Sequence, residues 1–172
     1  MVSIHIAGQR SRRTRGVSRR SRREPCRGSQ ALELDPEYPW AHRWLGEACL
    51  LRGFYEEAEK AFATIEAPVF GAGFLGYCYA RTGRVSQARQ LLQRLEGMTN
   101  PQLASQIAVA HLGLGEREMA LHWLRKACDA HAQGIHWLRT EPIWDTLRPD
   151  NRFTELLTRL GLPECHSPTQ NT

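Results

Sequence analysis

The stretch VFGAGFLGYCYARTGRVSQARQLLQRL (69–95) decides the fold, because it aligns without gaps with two others. These are PWAHRWLGEACLLRGFYEEAEKAFATI (39–65) and PQLASQIAVAHLGLGEREMALHWLRKA (101–127). Five columns recur. Leu45, Leu75 and Ile107 share the first and Gly46, Gly76 and Ala108 the second, while Gly53, Gly83 and Gly115 share the third. Ala58, Ala88 and Ala120 make the fourth, and Phe62, Leu92 and Leu124 the fifth. A fixed period of this length marks repeated supersecondary units, each too small to bury its own apolar face.

Within each unit, apolar residues step by three and four on both sides of the third-column glycine, which predicts two helices folded back on each other. Glycine takes a left-handed backbone at little cost, so Gly53, Gly83 and Gly115 are placed to end the first helix and reverse the chain. The small residues of the second and fourth columns let helices approach closely while larger side chains interleave. GAGFLG (71–76) looks superficially like a nucleotide loop. It lies inside a helix and lacks a following Lys, so close helix packing accounts for it better.

These columns resemble the tetratricopeptide repeat over about residues 39–127, which implies an all-α, right-handed superhelical stack of antiparallel helix pairs. Two departures stand out. The turn glycines lie 30 and then 32 residues apart, against about 34 in the family, and only the third unit opens on a plainly placed proline, Pro101. An ordinary bundle whose amphipathic helices align by chance is opposed by the matching glycine offsets. The pentatricopeptide repeat, which reads RNA one base per unit, has longer units.

The ends differ from the middle. Residues 1–30 hold nine arginines against one acid, Glu24, and carry +8, which leaves 31–172 at −3. Such an Arg/Ser-rich arm lacks the apolar content to order itself. ALELDPEYP (31–39) resembles the close of a preceding unit, and the chain is expected to be the tail of a longer array. The repeat domain is placed at 31–163. Its cap, 136–163, carries Trp137, Ile143, Trp144, Leu147, Phe153, Leu156, Leu157 and Leu160, with a short helix before Pro142 and a final helix N-capped near Asp150. It resembles closing segments of bacterial tetratricopeptide tails that follow signalling or regulator domains. Residues 164–172 are expected to be disordered.

Function follows from what is present and what is missing. No Gly-rich phosphate loop, catalytic triad order, zinc motif or dinucleotide fingerprint occurs, so no enzyme, cofactor, metal or small-molecule substrate is expected. The five cysteines form an odd set without a CxxC pair, read as reduced structural thiols, and no apolar run is long enough for a membrane span; a cytoplasmic protein is expected. The resemblance implies a partner protein held in a concave groove lined by the first helices. Its positions here are Trp40, Arg43 and Glu47; Phe70, Gly73 and Tyr77; Gln102, Ser105 and Val109, with Phe74 and Gln106 beside them. The row lacks the Lys/Asn pattern that clamps a C-terminal carboxylate, and its aromatic centre suits an amphipathic helix or extended peptide. The competing function is a nucleic-acid tether through Arg12, Arg13, Arg19, Arg20, Arg22 and Arg23, which would bind phosphates without sequence preference.

Overall fold

The computed structural model describes residues 35–162. Seven α-helices and three short 3-10 turns account for their regular structure, with no strand among the described residues. The helices are α1 (Pro39–Leu51), α2 (Tyr55–Ala63), α3 (Pro68–Arg81), α4 (Val85–Gly97), α5 (Ala104–Gly113), α6 (Arg117–Asp129) and α7 (Asn151–Arg159). The 3-10 turns are Pro101–Leu103, Ile135–Trp137 and Pro142–Trp144. The arginine arm and residues 164–172 lie outside the described residues.

Each helix pair closes as its glycine requires. Gly53, Gly83 and Gly115 have φ of +75°, +82° and +78°. Around each, the next residue's N–H donates five residues back, as Phe54 does to Cys49 (2.9 Å), Arg84 to Tyr79 (2.8 Å) and Glu116 to His111 (3.0 Å). The glycine N–H itself donates three residues back, to Leu50, Ala80 and Leu112. This is the Schellman closure, and it satisfies carbonyls that the helix end would otherwise leave unpaired. The motif recurs after α6 and α7, with left-handed His131 (φ +47°) and Gly161 (φ +66°) in the glycine position.

The units then stack. Ala58, Ala88 and Ala120 are fully buried, as are Ala108 and the large Phe62 and Leu124. A Cβ on Gly46 would come within 2.6 Å of the Phe62 ring, so the second and fifth columns of the first unit lock together. In the second unit the same column works between units instead: a Cβ on Gly76 would meet Ala110 at 3.2 Å. Gly73 lies so close to α5 that a Cβ would collide with the Gln106 carbonyl, and one on Gly113 would stand 2.6 Å from the Tyr77 Cα. Gly73 and Gly76 of GAGFLG therefore seat α3 against α5, while Gly71 lies against Ile65 and the Phe62 carbonyl of the first unit. Beyond α6, residues 130–150 fold back over the first helices, and α7 covers α6. Asp150 caps α7 by accepting from the Arg152 N–H at 2.9 Å.

Candidate protein-binding face

Arg43 sits at the centre of the expected groove, yet only 4% of it is exposed. Its guanidinium is paired with Glu47 one turn on, at 2.8 Å, and with Glu141 from the cap, at 2.6 Å. It also donates to the Phe70 carbonyl at 3.2 Å and lies over the rings of Phe74 (4.8 Å) and Trp137 (5.2 Å). Glu141 in turn accepts from the Trp144 indole at 3.3 Å. Two carboxylates thus share one buried cation. Burial pushes the Glu47 carboxyl up to about 7, with the Arg43 charge opposing and the nearby Glu141 adding to the rise. Burial likewise raises Glu141, again against Arg43.

The cap fills the rest of the row. Gln102 accepts from the Gln133 N–H at 2.8 Å and donates to the Ala130 carbonyl, and the Ser105 hydroxyl donates to the Gln133 carbonyl at 3.1 Å. Phe74, Gln106 and Val109 are buried. Phe74 stacks on Phe62 across the two units at 5.1 Å, and Gln106 accepts the Gly73 N–H at 3.0 Å, so both are packing residues. Between Arg43, Phe74, Gln106 and Val109 on one side and Leu138, Glu141 and Trp144 on the other, a void of only about 10 Å³ remains. Arg43, Phe74, Ser105, Gln106 and Val109 converge on that filled void, whereas Gly73 packs against the Gln106 backbone, so the row is not one open groove. The physical reason is that Leu138 and Trp144, which the sequence places simply in a terminal cap, bury themselves against these groove residues.

What stays accessible is the mouth. Trp40 is half-buried and meets Phe70 edge-on at 5.0 Å and Trp137 edge-on at 5.2 Å. Trp44 lies 6.3 Å from Trp40, and the exposed His136 packs against Trp137 at 4.6 Å. Trp137 and Glu141 were not legible as groove residues, since their contacts join positions nearly a hundred residues apart. Their one sequence signal is the density of large anchors around Pro142. His111 is buried between Glu116 (2.7 Å) and Glu96 (3.2 Å). Burial alone would raise Glu116, but hydrogen bonds from His111 and Arg89 hold it below the ordinary carboxylate range. Cys78 and Cys128 are buried free thiols, and burial pushes Cys78 up to about 12. No cluster of metal-ligating side chains and no helix long and apolar enough to cross a membrane occurs among the described residues.

Helix pairs of one pattern, joined by left-handed glycines and stacked on small residues, define a helical-repeat protein. Residues 39–63 and 70–94 match the tetratricopeptide repeat family, so these two helix pairs are of the tetratricopeptide type. The third pair lies outside the match; its first helix opens on the 3-10 turn Pro101–Leu103 before becoming α-helical. No curated protein and no solved structure matches the chain.

Proposed function

We propose that the chain is a non-catalytic protein-interaction module that grips a peptide or helix of its partner at the aromatic mouth formed by Trp40, Phe70 and Trp137. Tetratricopeptide repeats generally mediate protein–protein contacts, and this supports a protein partner. The observation that carries the site is the contiguous set of partly exposed rings of Trp40, Phe70 and Trp137 beside the filled part of the row. Rings of this kind supply large contact area for little conformational entropy and anchor many interfaces. Arg43 is saturated by two carboxylates, so the mouth has no free cation for a C-terminal carboxylate. Its partner would be recognised by aromatic or aliphatic side chains, in the cytoplasm.

Selection of a phage-displayed peptide library on the full chain tests this. Enriched peptides rich in Trp, Phe or Leu, whose binding falls at least about tenfold with Trp40→Ala while the far-ultraviolet circular dichroism is kept, are expected. A library that enriches nothing, or peptides indifferent to Trp40, would sink the reading.

A further inference from the structure

Two departures from the repeat meet where the second unit passes into the third. The linker between helix pairs lengthens from three residues (66–68) to five (96–100), which is the source of the wider glycine spacing, and Trp123 stands in the column that Ala61 and Leu91 hold in the units before. The longer linker runs into the 3-10 turn Pro101–Leu103, where Asn100 accepts from the Gln102 N–H at 3.0 Å. Between it and α6 lies a cavity of about 380 Å³, walled by Met98, Pro101, Ile107 and Trp123. Its volume is that of sites holding small organic molecules, roughly 300–1,000 Å³. Lys126 is the one charged residue of the lining, with its ammonium over the Trp123 ring at 4.1 Å, and it forms no ion pair with a described residue. The Trp123 indole N–H is buried and has no acceptor among the described residues, although a buried indole N–H ordinarily finds one.

We infer that this cavity binds a small monocarboxylic acid with an aromatic or branched apolar body. The body packs on the Trp123 ring, Met98 and Ile107. The carboxylate takes the Lys126 ammonium as its counter-ion and supplies the acceptor that the Trp123 N–H lacks. Charge and polarity choose this class. With one cation and no acid in the lining, a monoanion is complemented and an amine is not. A phosphate dianion would meet a single cation among apolar walls and leave most of its oxygens without donors. A hydrocarbon would fill the walls and leave the indole N–H unpaired. The cation–π contact already holds the Lys126 ammonium beside the cavity, so little ordering of that side chain is needed when the acid binds. No residue of the cavity belongs to the Trp40 mouth, and the acid and a protein partner do not compete for the same side chains.

Nitrogen-15 NMR of the full chain, titrated with 3-phenylpropionate to about 10 mM, reads the result directly, a range suited to a ligand of about eleven non-hydrogen atoms. The Trp123 indole N–H signal, identified by its absence in Trp123→Phe, is expected to move and saturate while the Trp40 indole signal stays. The uncharged 3-phenylpropanamide, with the same body, should bind at least about fivefold more weakly. Lys126→Gln should weaken the acid by the same factor and leave the amide unchanged, with both variants keeping the far-ultraviolet circular dichroism. A Trp123 signal that does not move, an amide that binds as tightly as the acid, or an acid indifferent to Lys126→Gln overturns the proposal. Trp40→Ala, which tests the peptide-binding mouth, should leave this titration as it is, so either result can fail alone.

Discussion

Single atoms decide most of what this backbone tolerates. At Gly83 there is nothing within 4 Å of a would-be Cβ, yet φ is +82°. Gly83→Ala therefore costs only conformational strain, about 1–2 kcal/mol in chemical denaturation. Ala88 is fully buried against its helix partner, and Ala88→Leu should overpack the pair by about 1–3 kcal/mol. The opposite sign is expected at His131, which occupies a left-handed position that glycine holds at Gly53, Gly83, Gly115 and Gly161. His131→Gly removes that strain at some cost in chain entropy, and a gain below about 1 kcal/mol should appear as a raised denaturation midpoint. Glycine positions in the turns were readable from the sequence because they recur. His131 was not, because the residue gives no hint of its backbone.

At the level of elements, the buried Arg43 couples α1 to the cap. Removing the cation by Arg43→Met leaves Glu47 and Glu141 buried without a counter-charge and should cost about 3–5 kcal/mol. The same cluster sets a pH dependence whose sign follows from the carboxyls. Glu47 is raised to about 7 and Glu141 in the same direction, mainly by burial, so the folded chain holds these protons more tightly than the unfolded one. Stability is greatest at or below the ordinary carboxylate value and falls as pH rises towards 7, on the order of 3 kcal/mol for Glu47. A melting temperature that drops between pH 5 and 8, with a flatter profile in Glu47→Gln, is the expected result. Glu116, Glu118 and Asp150, lowered by their arginine or histidine partners, act in a separate window: their contribution is lost as pH falls below the usual carboxylate range. The helices themselves were visible in the three- and four-residue spacing, including the N-cap at Asp150. The ion cluster was not, since Arg43 and Glu141 meet only after the chain has turned through six helices.

For the whole molecule, the cap is a structural part of the groove. Trp144 is 2% exposed and Leu138 and Leu147 are buried with it in the main core. Apolar burial of this kind does not titrate, so raising the pH should lower stability without detaching the cap. Trp144→Ala should destabilise the protein by about 3–5 kcal/mol, and because cap and repeats share one core unfolding should remain one cooperative transition by both tryptophan fluorescence and circular dichroism. The sequence alone determined the helix pairs, their turns and the small residues at their contacts, because these are local spacings repeated three times and repetition makes them unmistakable. Only the tertiary structure decided which groove residues a partner could touch. That outcome depends on where a non-repeating segment of large apolar side chains finds surface to bury, which no local spacing encodes.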